Sequence, residues 1–303
     1  MKKLLLALGL ICLIAHNGYS NQPELVLKTP SDIFKTYSDI VCEIEVYLEI
    51  KGKDSFDMPQ KTEETESGSC FLIKDGNGKN HIVTASHIAR PEDGDLLEDI
   101  NSKSITNLIL GVTSTPNIPA TTQNIWKEIS EVKVKYARVS FKTADIDSLK
   151  NSIEDYEGGV DENNSKNDRI IFLAALEKFD HFLDLASLQL EYQPAYTVLK
   201  SGKLGNSEDL KIGSKVYAIG KPLGHSFTLL RGEVAHFHVE KSGKNRQNQI
   251  YTSEMIGFGS SGGPLFNRSG EIVGVCIRVY NDKAPHFGIF VPSNAIKTFL
   301  QSK

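Results

Sequence analysis

The chain is short of the residues that mark several functional classes. Four cysteines in 303 residues are too few and too scattered for a disulfide scaffold. Positive charge is in deficit: 34 Lys and Arg face 38 Asp and Glu, a formal charge of −4 with a pI near 6.1. A nucleic-acid binder living on a basic surface is not expected from that balance. The only tryptophan, Trp126, and its polar neighbours show no base-stacking pattern. The apolar run Leu4 to Ala15 is shorter than the ~20 residues that a membrane span needs. Gly220 to Gly224 lacks the Walker spacing of a phosphate loop. His236 and His238 alternate on one strand face, but the sequence places no third ligand, so no metal site is expected. Nothing calls for a cofactor.

What is present suits a soluble globular protein: 40% hydrophobic and 24% charged residues. A chain this long buries roughly 75% of its unfolded surface, enough for one large or two small domains without staples. Residues 1–20 read as a secretory signal peptide, with Lys2 and Lys3 before the apolar run and Gly18 and Ser20 ahead of a cut before Asn21. The expected location is therefore secreted or periplasmic, with no stable membrane span after cleavage. Without Lys2 and Lys3, 32 basic residues stand against 38 acidic. Cys42, Cys70 and Cys276 then remain, an odd count that leaves at least one free thiol or an intermolecular bridge. Spacing does not say which of them pair.

Past the leader, short strands follow one another between turn signals. Ile40 to Val46 alternates in polarity. Cys70 to Ile73 and Ile82 to Thr84 flank Asp75-Gly76-Asn77-Gly78, a hairpin signal. Val132, Val134 and Tyr136 alternate with charged residues. Ile170 to Leu176, Leu183 to Leu190, Val216 to Ile219, Val234 to Val239, Ile272 to Val279 and Phe287 to Val291 continue the series. This is all-β patterning. Ser293 stands where it could cap a C-terminal helix with Ala295, Ile296, Phe299 and Leu300 on one face. Lys51 to Ser67 and the acidic Asp145 to Asp168 read as surface loops or disordered insertions.

Three stretches carry chemistry. Gly259-Ser260-Ser261-Gly262-Gly263-Pro264 offers a serine among glycines, which turn sharply and leave backbone N–H groups uncovered. A serine hydroxyl becomes a nucleophile only when a base takes its proton. Thr84-Ala85-Ser86-His87 puts a histidine just past a strand, and its titration range suits proton shuttling. Asp184 opens Leu185-Ala186-Ser187-Leu188 inside an apolar stretch, where a carboxylate is costly without a partner. Asp180, among Lys178 and His181, competes for that role from what looks like an exposed loop.

Together these stretches resemble the trypsin-like serine proteases of the chymotrypsin fold, nearest to the HtrA-type bacterial branch. The order His87, Asp184, Ser261 is the family's order. Val216 to Gly224 resembles that branch's Ile-Gly-x-Pro turn, Arg231 to Val234 the strand after it, and Glu271 to Val275 with Phe290 to Ser293 the end of its second barrel. The resemblance covers roughly 38–90 and 170–300. It implies two antiparallel six-stranded β-barrels with a C-terminal helix. The first spans 21–194 with a long insertion at about 91–169, and the second spans 195–303. It implies a serine endopeptidase acting on polypeptides: Ser261 as nucleophile, His87 as base and then acid, and Asp184 fixing the imidazole tautomer. The N–H groups of Gly259 and Ser261 would form the oxyanion hole. Met255 would floor the specificity pocket, and Val275, Cys276 and Ile277 would pair with substrate backbone.

The sequence departs from the family at several points. Ser260 replaces the aspartate with which digestive members pair a newly cut N-terminus. Ile88 stands where a cysteine partner for Cys70 would follow the histidine. Only 42 residues follow Ser261, which leaves no room for a C-terminal PDZ domain. The competing reading is a protease-fold binding or chaperone-like protein of the cell envelope whose site is unused.

Overall fold

The computed structural model describes residues 27–109, 125–142, 169–197, 199–221, 227–242, 245–253, 259–280 and 287–302. The leader, Met255 and the acidic run 145–168 lie outside them. A short helix α1 (Pro30–Tyr37) is closed at its start by a capping box between Thr29 and Asp32. Strands β1 (Val41–Asp54), β2 (Pro59–Lys74), β3 (Asn80–Thr84), β4 (Trp126–Lys142), β5 (Arg169–Asp180) and β6 (Leu185–Leu190) follow. They close a barrel in the order β1-β2-β3-β6-β5-β4. Strands β7 (Lys215–Gly220), β8 (Thr228–Ser242), β9 (Asn245–Thr252), β10 (Pro264–Phe266), β11 (Ile272–Tyr280) and β12 (Phe287–Pro292) close a second, in the order β10-β11-β12-β9-β8-β7. Every pairing within the barrels is antiparallel. The double-barrel expectation is met.

Alternation explains the first barrel. Ile44, Val46, Leu48 and Ile50 on β1 all point inward and are fully buried, while Glu43, Glu45 and Glu49 point outward. Phe71, Phe141 and Phe172 fill the interior. A second cluster of Val216, Ala218, Ile250, Leu265, Val273 and Phe290 packs the other barrel. The connecting chain runs between the two. Gly202 donates to Leu72 O at 2.8 Å, and a Cβ there would lie 2.5 Å from Ile272 and 2.6 Å from Ile40.

Two expectations need correction. Lys51 to Ser67 is not a loop: β1 and β2 run through it as a long hairpin paired from Val41↔Phe71 out to Lys53↔Pro59. Its polarity belongs to strand ends whose outer face meets water, while on the inner face Gly52 and Asp54 are buried and Gln60, Thr62, Glu64 and Glu66 half-buried. Nor is 91–169 all insertion, because β4 closes the barrel between β1 and β5. Within that span, the helix α3 (Asp93–Ile109) packs on β4 through buried Leu96 and Ile100.

The C-terminal helix α4 (Ser293–Gln301) buries Ile296 and Phe299. Ser293 starts the helix but does not cap it; its hydroxyl donates to Gly205 O at 3.0 Å. Lys178 of β5 donates to Ser302 O at 2.9 Å, holding the second barrel's helix on the first barrel. Cys42 and Cys70 face each other across β1 and β2, with Cα atoms 4.8 Å apart, and are joined by a disulfide; Cys276 is free and buried.

Candidate active site

Strand register brings the histidine and the aspartate together. Thr84 at the end of β3 pairs with Ala186 near the start of β6. Three residues beyond Thr84 and two before Ala186, His87 and Asp184 therefore meet at one barrel end. His87 lies on a single turn, α2 (Ser86–Ala89), that begins where β3 stops. Asp184 is not inside the strand, as its apolar neighbours suggested. It ends a tight turn at φ 53°, with its N–H donating to His181 O at 3.2 Å. Aspartate tolerates that left-handed conformation better than most residues. Asp180 is bound to the other end of the same turn, accepting from Leu183 N at 2.9 Å.

Asp184 gathers donors from the histidine turn. Its Oδ2 lies 2.8 Å from His87 Nδ1, and its Oδ1 lies 3.1 Å from the same nitrogen. Oδ1 also accepts from His87 N at 2.9 Å and from Ser86 Oγ at 3.0 Å. A carboxylate can only accept, so Nδ1 must carry a proton, and the neutral ring then keeps its lone pair on Nε2. Burial would push Asp184 upward. The hydrogen bond and charge of His87, its backbone N–H and Ser86 outweigh that and hold the carboxyl below its usual range.

Ser261 belongs to a turn of the second barrel docked on the first. Gly259 and Gly262 stand at φ 91° and 83°, values suited to glycine. A Cβ on Gly262 would lie 2.0 Å from Ser69 O and 2.2 Å from Thr84 Oγ1, so only glycine fits against the strand that leads to His87. A Cβ on Gly68 would lie 2.9 Å from Ser261 O and 3.0 Å from Ile88. The serine turn and the histidine turn thus flank the same glycine of β2. Ser260 is 3% exposed, and its hydroxyl has no hydrogen-bond partner among the described residues.

The wall strand needs a finer reading. Val275 sits opposite Pro264, and Cys276 N and O are both engaged, by Gly263 O at 2.8 Å and Gly262 N at 2.7 Å. Among the described residues, no strand pairs with the β10 side of β11 beyond them, so its open edge begins at Ile277. The Cys276 thiol points into the barrel core, and burial, then the charge of Asp184, push it up to about 12. On the other flank, Glu66 of β2 is raised, first by burial and then by Asp99.

Sequence reasoning missed Ser86, Thr84 and Ser69 as partners of this site. Ser86 and Thr84 stand inside the histidine stretch itself. Ser69 follows Glu66, Ser67 and Gly68 and precedes the apolar run Cys70 to Ile73, so no local pattern singles it out.

A model of the trypsin-like peptidase domain matches residues 68–275, more than half of the chain. A probable periplasmic serine endoprotease, DegP-like, from Marinomonas sp. (strain MWYL1) is 37% identical over 123 residues, covering 41% of this chain and 25% of that protein. The serine protease Do-like HtrA of Bacillus subtilis (strain 168) is 36% identical over 136 residues, covering 42% and 30%. The chain therefore matches under a third of the length of these relatives. Among solved structures, the HtrA-type protease AlgW with decapeptide superposes with a TM-score of 0.55 at 16% identity, covering 91% of this chain and 67% of that one. That likeness concerns the fold. With the family model spanning the histidine, aspartate and serine stretches, the chain belongs to the trypsin-like peptidase family.

Proposed function

We propose that this chain is a serine endopeptidase that cleaves polypeptides through Ser261, His87 and Asp184. The observation that carries the reading is the grip of Asp184 on His87 Nδ1 at 2.8 Å, beside a serine turn seated on the same barrel. With Nδ1 held as donor, Nε2 takes the Ser261 proton as Oγ bonds to the scissile carbonyl carbon. The carbonyl oxygen becomes an oxyanion facing the N–H groups of Gly259 and Ser261. Collapse breaks the C–N bond, and His87 gives its proton to the leaving amine. Water, deprotonated by His87, then attacks the acyl-enzyme, and Ser261 regains its proton as the acid product leaves. The buried Asp184 charge stabilises the imidazolium in both halves.

Substrate backbone would add as a strand along the open edge of β11 from Ile277 onward, with Val275 and Cys276 forming the wall behind it. Met255, outside the described residues, would floor the pocket for the side chain before the cut. It offers no charge to attract Arg or Lys, so a small or apolar residue is expected there. The leader-like residues 1–20, the Cys42–Cys70 disulfide and the printed names of the periplasmic relatives support an extracytoplasmic location. No helix among the described residues is long and apolar enough to cross a membrane. A purely binding or chaperone-like protein would have no use for a buried carboxylate clamped on an imidazole, so that reading has less support.

Unfolded casein incubated with the wild type and with Ser261→Ala tests the proposal. Cleavage by the wild type and at least a thousandfold less by the variant is expected. Equal cleavage by both, or none by a folded wild type, would overturn it.

A further inference from the structure

The turn that would hold the oxyanion is held from within at one point, where Gly263 N–H donates to Ser260 O at 2.9 Å. Gly259 sits at φ 91°, and the buried Ser260 hydroxyl has no partner among the described residues. The carbonyls on either side of Ser260 O are fixed from outside, by one fully buried residue of the other barrel. Ser69 on β2 donates its N–H to Ser261 O at 2.8 Å and its hydroxyl to Gly259 O at 2.8 Å. That hydroxyl accepts from Lys221 N at 3.1 Å, so its single proton is directed at Gly259. The Ser69 carbonyl accepts from Thr84 Oγ1 at 2.8 Å, at the root of the histidine turn. Glu43, the cross-strand partner of Ser69, pairs through its side chain with Lys221.

A peptide plane flips by coupled rotation on either side of it. Pinning Gly259 O fixes the plane between residues 259 and 260, and pinning Ser261 O fixes the plane between 261 and 262. The Ser261 N–H belongs to the plane between those two anchors, whose own carbonyl, Ser260 O, accepts from Gly263 N at 2.9 Å, so Ser69 braces that plane from both sides. We propose that Ser69 is a positioning residue for catalysis: from the first barrel, its hydroxyl and N–H anchor the two peptide planes that flank the oxyanion-binding amide of Ser261 in the second. It touches no substrate atom. The inference rests on the oxyanion role proposed above for Gly259 and Ser261.

Ser69→Ala removes one anchor and leaves Gly259 O without its donor, while the His87–Asp184 pair is untouched. Direct loss of an oxyanion donor costs about 10²–10³ in kcat. Loss of its support should cost less, about tenfold. The expected result is a roughly tenfold fall in casein kcat and a parallel fall in the inactivation rate by a small fluorophosphonate. KM should stay within twofold, and the acid limb of the pH–rate profile should not move. Ser69→Cys, close in volume but a weak donor, should lie between alanine and wild type, and it carries the comparison if the alanine variant does not fold. A folded Ser69 variant that keeps wild-type kcat and inactivation rate, or one that loses KM and kcat together with a shifted pH limb, would overturn the proposal. Ser261→Ala run alongside separates the two levels. If it retains activity, the oxyanion reading itself is wrong. If it is dead while both Ser69 variants are fully active, only the positioning role fails.

Discussion

Asp184→Asn changes one atom type and tests the tautomer argument directly. The retained oxygen can still accept from His87 N and Ser86 Oγ, at the positions now 2.9 and 3.0 Å from Oδ1. The new amide then stands where Oδ2 lies 2.8 Å from His87 Nδ1, and it is a donor. Two donors cannot share that contact, so the ring must move its proton to Nε2, the nitrogen required as base. In the chymotrypsin-type triad, the same change costs about 10⁴ in kcat, equivalent to about 5.5 kcal/mol of activation free energy. The effect on folding should be far smaller. Charged hydrogen bonds are lost, each worth about 1.5–3 kcal/mol, but the desolvation of a buried charge is relieved as well. A net loss of about 1–3 kcal/mol is expected. Casein hydrolysis and thermal melting, measured on one preparation, give both numbers. A folded Asp184→Asn enzyme within tenfold of wild-type kcat would refute the reasoning.

Gly262→Ala should destabilise by about 3 kcal/mol or more and abolish cleavage, because its Cβ would meet Ser69 O at 2.0 Å at a φ of 83°; a melting temperature within two degrees of wild type would contradict this. Among Cys42, Cys70 and Cys276, denaturation without reductant should expose one reactive thiol, and reduction should expose three, as counted by alkylation and mass spectrometry. The Cys276 thiol, pushed from 9.0 to about 12, holds its proton in the fold at pH values where the unfolded chain releases it. Its contribution is therefore complete below about pH 9 and declines as pH rises toward 12, by at most about 1.4 kcal/mol per unit. Urea unfolding between pH 8 and 11 should show a shallower alkaline decline in Cys276→Ala than in the wild type, and identical slopes would rule that out.

The strands of the barrel interiors were legible because period-2 alternation on β1 and the continuous apolar runs of β5 and β6 are imposed by burial. The outer halves of β1 and β2 were not. They bury few large apolar side chains, their inner face being made of Gly52, Asp54, Gln60, Thr62, Glu64 and Glu66, and so carry the polar composition of a loop. The strand β4 showed its alternation at Val132, Val134 and Tyr136, yet its place in the barrel depends on long-range pairing with Cys42 to Asp54 that no local pattern encodes. At the site, residue types alone left His87 and Ser261 as candidates, because a Ser-Gly run is commonly a turn and a strand-end histidine commonly structural; the order of the motifs and the family resemblance made them the proposed pair. Asp184 was singled out as a candidate for its cost of burial, although its turn geometry was not visible. Ser69 and Ser86 stayed hidden, since a buried serine looks the same whether it fills space or directs a carbonyl. The disulfide was equally out of reach, because Cys42↔Cys70 follows from a register set by the whole hairpin.

The central claim is that Ser261 is the nucleophile activated by His87. Incubating the folded protein with a fluorophosphonate and mapping the adduct by peptide mass spectrometry tests it most directly. One adduct per chain, on Ser261 and absent in Ser261→Ala and His87→Ala, is the predicted result. An adduct on another residue, or equal labelling of the Ser261→Ala variant, would contradict it.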